Sequence, residues 1–370
     1  MTNAPMTRTA AFRQSLPSPT GGAGAGTSFL SLLWTWIFLL LFASCVRDTD
    51  YADTPEGNLD ALWTLIDQHY CFLTYKQQAI GVDWNEVHSR YRQRISPKIN
   101  NVQLFEVLAE MVGELRDGHV NLYAAHDVGR NWSWHEDYPS NFSQELQDDY
   151  LGTDYRIASS IKYRILPDNI GYLVCASFQN AIGDGNLSEV MHYLRTCDGL
   201  IVDVRNNGGG DLTNAERLAR RFTNERRLVG YICHKTGTGH DDFSTPQAEY
   251  LDPADGVRWQ KPAVVLTNRT CYSATNTFVR DVAACPLVTV LGDQTGGGSG
   301  LPFSSELPNG WSVRFSACPM FDADMNQIEF GIQPDTLVSL NDDDRLNGHD
   351  TLIEAARQLL SASGRRERAE

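Results

Sequence analysis

Four stretches of the chain hold residue types able to do acid–base or nucleophilic chemistry. LRDGHVNL (115–122) places His119 just beyond the end of a helical pattern, and IVDVRNNGGGD (201–211) runs an apolar strand into Asn-Asn and three glycines. VVLTNRTCYSATNTFV (264–279) reads as a strand, a tight turn and then Ser273 opening a helix. GDQTGGGSG (292–300) is followed further on by IEFGIQPD (328–335), where Glu329 lies in an apolar-flanked run. A hydroxyl at a strand–helix junction has the first helical amides beside it, free to bind an oxyanion. Glycines such as Gly209 and Gly210 let backbone N–H groups point outward at a developing anion. A phosphate cradle is the weaker reading, because neither GxGxxG nor GxxxxGK[ST] occurs. Each residue alone has an ordinary explanation: a Ser before a helix most often caps it, and a His after a Gly is more often structural than basic. Their joint occurrence is what points to chemistry.

The elements that must position these residues fall into two parts. Asn58 to Tyr70 carries apolar residues at 59, 62, 63, 66 and 70, a helical stripe with Asn58 as N-cap. Asn101 to Leu115 repeats the pattern and stops at Gly118, so a small helical subdomain (58–125) delivers the Arg116-Asp117-Gly118-His119 segment. Residues 126–168 read as a linker or a few short strands. From 169 to 340 the runs GYLVCASF, GLIVDV, LVGYIC, PAVVLT and LVTVL alternate with helical stretches near 185–196, 212–224 and 274–284, which indicates an α/β layer architecture. Residues 341–370 add a final helix and a frayed tail.

Composition excludes several classes. The chain has 370 residues, 42% hydrophobic and 21% charged, a globular balance with a formal charge of −15 that leaves no basic face for nucleic acid. The nine His are scattered without an HExxH, and Asp342-Asp343-Asp344 reads as a solvated turn, so no metal and no cofactor is expected. Between Arg13 and Arg47 there is no charge, and Phe29 to Ala43 is an apolar run of about fifteen residues, shorter than the roughly 20 of a spanning helix but fit for a signal-peptide core. Ala43-Ser44 before Cys45 resembles a bacterial lipoprotein cleavage box. We read 1–44 as a lipoprotein signal peptide, Cys45 as the lipidated residue and 45–57 as a tether to the cell-envelope membrane; an ordinary signal peptide or an uncleaved anchor is the alternative. Of the eight Cys, seven would remain, with no CxxC, and several sit in apolar runs as small buried thiols.

The order DGHV, GYLVCASF, IVDVRNNGGG, LTNRTCYSATN, GDQTGGG and EFGIQPD resembles the S41 family of serine peptidases, which includes the C-terminal processing proteases and the tricorn core. The resemblance implies a ClpP/crotonase-like α/β core with a small N-terminal helical subdomain, and hydrolysis of a peptide or protein substrate. The family's nucleophile precedes Ala in an S-x-S-A-x-E-like stretch, here Cys271-Tyr272-Ser273-Ala274-Thr275-Asn276, which selects Ser273. The processing-protease branch activates that Ser with a Lys in G-x-x-T-x-G-K. Gly298 holds that position here, and no Lys follows Ser273, so a Ser–Lys dyad of that form is excluded.

The tricorn-like branch instead uses a His and a distant Glu, matched by His119 and Glu329. His119 would take the Ser273 proton, Glu329 would act through a hydroxyl or a water, and Ala274 with Gly209 or Gly210 would meet the oxyanion. The chain departs from that branch at Gly118, where the tricorn-like tetrad has a Ser, and at Asn276, which replaces an acid. Only about fifty residues separate His119 from Gly171, too few for a substrate-tethering PDZ insert. Two rival readings remain at this point: a non-catalytic S41-like module binding a hydrophobic ligand or peptide, and an acyl-transfer enzyme on the crotonase-like core.

Overall fold

The structure, a computed structural model, describes residues 51–132 and 135–367. The apolar 29–43 segment, Cys45 and the start of the tether lie outside the described residues. The first helix, α1 (Pro55–His69), begins before the expected Asn58. Thr54 is the cap, its Oγ1 accepting the Gly57 amide, and Pro55 is pre-set for the first helical turn. Asn58 is instead buried, donating to Asp53 and to the Thr54 carbonyl. Two short helices follow, α2 (Leu73–Ile80), ended by Gly81 at φ 73°, and α3 (Trp84–Arg92), capped by Asp83. A capping box between Asn100 and Gln103 starts α4 (Asn101–Gly113), whose Leu104, Phe105, Leu108, Met111 and Val112 face the core. The chain then reverses at Arg116, a non-glycine residue at φ 47°, rather than at Gly118.

The helical subdomain does not close on itself. Beyond His119 come β1 (Asn121–Tyr123) and β2 (Val128–Arg130), the start of a four-stranded antiparallel sheet whose other strands arrive from much later in the chain. Its apolar cluster mixes helix residues with Leu307, Trp311, Val313 and Phe315 from the 302–316 hairpin. One layer of helices cannot bury its apolar stripe alone, and the hairpin supplies the opposing face. The 126–168 segment holds more than a linker. It contains β2, then α5 (Gln144–Leu151), β3 (Arg156–Ala158) and β4 (Ile161–Ile165).

The alternating part is a seven-stranded sheet. Its elements are β5 (Ile170–Cys175), α6 (Asp184–Leu194), β6 (Gly199–Asp203), α7 (Leu212–Ala219), β9 (Ala263–Thr267), α8 (Ala274–Ala283) and β10 (Val288–Gly292). Strands β5, β6, β9 and β10 run parallel as neighbours. The antiparallel β4 and β3 extend one edge, and β14 (Thr336–Leu337) the other. Strands β5, β6 and β9 are buried along their whole length, as expected for continuous apolar runs covered on both faces. The run at 228–233 departs from the expected order. It forms β7 (Arg227–Ile232), only half buried, and pairs antiparallel with β8 (Gln247–Leu251) and β13 (Met320–Asp322) in a separate sheet. The remaining elements are β11 (Pro302–Glu306), β12 (Ser312–Ser316), the short α9 (Asp342–Leu346) and α10 (Thr351–Glu367), the expected final helix.

The segments with chemical potential thus gather at one end of the main sheet. The glycine run follows β6, the Ser273 turn follows β9 and the 292–300 loop follows β10, all at the carboxyl ends of adjacent parallel strands. That end is where α/β sheets place ligand sites. His119 enters from the α4–β1 turn.

Candidate active site

Ser273 sits at φ 58°, ψ −121°, a conformation that costs of order 1–3 kcal/mol for a residue with a Cβ. The strain is held by its surroundings. The Ser273 amide donates to the Gly297 carbonyl at 2.9 Å, and its carbonyl accepts the Thr277 amide at 3.1 Å. The side chain does not cap α8. Its Oγ lies 3.0 Å from His119 Nε2 instead. Gly209 packs directly on this turn at φ 100°, where a Cβ would stand 2.9 Å from Ser273 Cβ and 2.7 Å from the Tyr272 carbonyl, so only glycine fits.

His119 is 5% exposed, with its ring centroid 5.2 Å from that of Tyr272. Nδ1 makes no hydrogen bond of standard geometry among the described residues. For Ser273 to donate to Nε2, the ring proton must be on Nδ1. Burial lowers the His119 pKa from its ordinary value. The negative charge of Asp117 pulls it up, Arg314 pushes it down, the Ser299 carbonyl favours the protonated ring and Lys76 opposes it. The net lowering leaves the imidazole neutral, and able to accept a proton, at neutral pH.

Glu329 is brought into the same buried region but makes no hydrogen bond to His119. Its Oε1 accepts from Lys76 Nζ at 2.8 Å, and Oε2 accepts from the Ser299 amide at 3.0 Å and the Ser299 hydroxyl at 3.4 Å. Burial, then the charge of Asp117, push the Glu329 carboxyl up to about 8, with Lys76 pulling the other way. Lys76 is fully buried on α2, also reaches the Arg116 carbonyl at 3.4 Å, and places its cation 4.3 Å from the Phe330 ring centroid. A lysine therefore does belong to this site, but it is bonded to Glu329 rather than to Ser273.

The other sequence-selected positions resolve as follows. The Ala274 amide is the first of α8 and has no acceptor within the helix. The Gly209 amide is already donated to Asn207 Oδ1 at 2.9 Å, which corrects the expectation that it serves as an anion donor and leaves the exposed Gly210 beside it. Gly298 sits at φ 72°, and the space a side chain would need there is filled by the Tyr272 ring, 2.2 Å from an added Cβ. Asn276 donates to the Ile328 carbonyl and accepts from Thr295, pinning α8 to two loops. Asp342–Asp344 form the first turn of α9 under an Asn341 cap, with none of them buried.

Sequence reasoning missed Lys76, Asp117, Ser299 and Tyr272. Asp117 is 1% exposed: Oδ1 accepts the His119 amide at 2.7 Å and the Tyr272 hydroxyl at 3.3 Å, and Oδ2 accepts the Tyr70 hydroxyl at 2.9 Å and the Ser316 hydroxyl at 3.2 Å. A cleft of about 780 Å³ opens beside the dyad, reaching Gly118, Tyr272 and Glu329, with Arg116, Arg269 and Asp137 among its charged walls. The described residues contain no cluster of three or more His, Cys, Asp or Glu suited to a metal, and the seven cysteines among them are free thiols.

Two measurements follow from the buried charges and the strained serine. The folded protein holds the Glu329 proton more tightly than the unfolded chain, so this group's stabilising contribution is full below pH 4.5 and is lost as pH rises through about 8. Lys76→Met removes the opposing cation. It is expected to destabilise by about 3–5 kcal/mol at pH 9 and by clearly less at pH 6, where Glu329 takes a proton; equal urea-unfolding losses at both pH values would contradict the pairing. At position 273, glycine should be more stable than alanine by about 1 kcal/mol, since only glycine relieves the positive φ. Thermal or urea unfolding of Ser273→Gly and Ser273→Ala tests this, and the reverse order would remove the strain.

Comparison with known proteins bears on the family and the fold. The model of peptidase family S41 matches residues 169–338, and that of the tricorn protease C1 domain matches 51–113. A carboxyl-terminal-processing protease of Synechocystis sp. is 26% identical over 173 residues, covering 46% of this chain and 38% of the length of that protein. A crystal structure described as a candidate peptidase of Parabacteroides merdae is 50% identical, with a TM-score of 0.79 over 84% of this chain and 97% of that one. Mature CPAF in complex with lactacystin shares the fold at 12% identity and a TM-score of 0.64, covering 83% of this chain and 97% of that one. With the S41 model across its α/β core and half-identity to the Parabacteroides protein over nearly that protein's whole length, the chain belongs to peptidase family S41, a family of serine peptidases.

Proposed function

We propose that the protein is a serine peptidase in which Ser273 is the nucleophile and His119 the general base, tethered to a bacterial envelope membrane through a lipid on Cys45. The observation that carries the catalytic reading is the 3.0 Å approach of His119 Nε2 to Ser273 Oγ, made by a serine whose side chain leaves its helix uncapped. As Oγ attacks the scissile carbonyl carbon, Nε2 takes the hydroxyl proton and the carbonyl oxygen becomes an oxyanion. The Ala274 amide, with that of Gly210, donates to it; one such donor contributes about 10²–10³ in rate. The imidazolium then returns its proton to the leaving amine as the C–N bond breaks, and a water repeats the sequence to release the acyl group.

Glu329 acts at one remove, by fixing Ser299 rather than by contact with the base. Its carboxylate holds the amide and hydroxyl of Ser299, whose carbonyl favours the protonated His119 ring. This takes the place of the serine that the tricorn-like pattern has where Gly118 stands. The charged walls of the cleft disfavour the rival reading of a carrier for a hydrophobic ligand. The envelope anchor rests on the 29–45 sequence alone. No helix among the described residues is long and apolar enough to cross a membrane.

A fluorophosphonate probe at pH 7–8 is expected to label Ser273, and Ser273→Ala to abolish labelling; folded protein that leaves the probe unreacted contradicts the peptidase. His119→Ala should lower peptide turnover by about 10²-fold or more, on the scale of a lost general base. Near-normal turnover would remove His119 from the reaction. For the anchor, Cys45→Ser is expected to move the expressed protein from the membrane to the soluble fraction, and an unchanged membrane fraction would refute lipidation at that residue.

A further inference from the structure

A base that becomes an imidazolium inside a protein needs a negative charge near it, because burial penalises the charged ring. Two carboxylates lie in the buried region around His119, and they are not equivalent. Glu329 is bonded to Lys76 at 2.8 Å, so the pair brings no net negative charge to the ring whether Glu329 is ionised or protonated, and none of its hydrogen bonds reaches His119. Asp117 forms no ion pair with a cation among the described residues. Its four hydrogen bonds come from neutral donors: the His119 amide and the hydroxyls of Tyr70, Ser316 and Tyr272. These donors stabilise a buried anion without cancelling its field.

Position adds to charge. Asp117 bonds the backbone of His119 on one oxygen and, on the same oxygen, the hydroxyl of Tyr272, the residue immediately before Ser273. Its other oxygen holds Tyr70 at the end of α1 and Ser316 on β12. One carboxylate thereby ties the base, the turn that presents the nucleophile and the helical unit together. We propose that Asp117, rather than Glu329, is the carboxylate that stabilises the His119 imidazolium and keeps His119 in register with Ser273. It is a positioning residue: it touches neither substrate nor the reacting atoms. The step it supports is the transfer of the Ser273 hydroxyl proton to Nε2 as the new Oγ bond forms.

The charged groups facing His119 are Asp117 from its own turn, Lys76 from α2, Arg314 from β12 and Glu329 from the loop before β14; the two cations oppose Asp117. The proposal rests on the peptidase reading, and the rate of Ser273 phosphonylation by a fluorophosphonate, followed from pH 4 to 9, separates the two. If the wild type does not react, the peptidase reading fails and this one with it. If it reacts, Asp117→Asn retains an oxygen for the His119 amide but loses the charge. Its plateau rate is then expected to fall at least tenfold, and the acid limb of its pH profile to move down by about one unit or more.

Replacing both members of the pair, in Lys76→Met/Glu329→Gln, takes no net negative charge from the ring and should move that limb by less. A folded Asp117→Asn protein whose limb stays at the wild-type pH overturns the proposal, as does a larger shift in the double variant. If Asp117→Asn does not fold, Tyr272→Phe decides: it keeps the charge but cuts the tie, so the plateau should fall severalfold with the limb unmoved, and an unchanged plateau overturns the proposal.

Discussion

The site depends on a backbone conformation that Ser273 would not adopt by itself. At φ 58° and ψ −121° the residue turns its hydroxyl away from the head of α8 and toward His119. The Gly297 carbonyl holds its amide, and Gly209 leaves the space in which the turn fits. Both supports come from loops at the carboxyl ends of strands flanking β9, so the parallel order of β6, β9 and β10 is what makes the conformation affordable in free energy. The main sheet is therefore a frame for one strained residue, and the same strain leaves the first amide of α8 open to an oxyanion.

A second condition is that the histidine facing Ser273 comes from a different layer. His119 follows α4, in a unit whose apolar cluster is completed by the 302–316 hairpin, while Ser273 belongs to the main sheet. The 3.0 Å contact between them is fixed by buried polar links rather than by apolar packing alone. Asp117 and the Lys76–Glu329 pair cross that boundary, and each is buried deeply enough that a missing partner would leave an unpaired group. Such links specify one arrangement of the two layers, and they also set the charge around the imidazole.

What was legible in the sequence follows from what is local. The buried strands β5, β6 and β9 announce themselves as continuous apolar runs, and the Ser273 and His119 motifs as short strings with fixed neighbours. The half-buried β7 reads the same over six residues, and only its partners β8 and β13 show that it left the main sheet. Lys76 was invisible as a site residue because its partner lies 253 positions away and its helix, LTYKQQAI, carries little apolar periodicity. Asp117 stood in plain view beside His119. Nothing local distinguishes a carboxylate that collects four buried donors from one that points into water. The expected Asn58 cap failed for a local reason, since Thr54 and Pro55 offer a better start four residues earlier.

The central claim is that Ser273 Oγ attacks a carbonyl whose oxygen is received by the amide of Ala274. A crystal structure of the protein with a peptidyl boronic acid tests it most directly, because boron forms a reversible tetrahedral adduct with an activated serine. Expected are a covalent bond from Ser273 Oγ to boron, one boronate oxygen about 2.7–3.1 Å from the Ala274 amide, and His119 Nε2 still within hydrogen-bond reach of the adduct. A boronate seated in the site with Ser273 unmodified, or bonded to another residue, would contradict it.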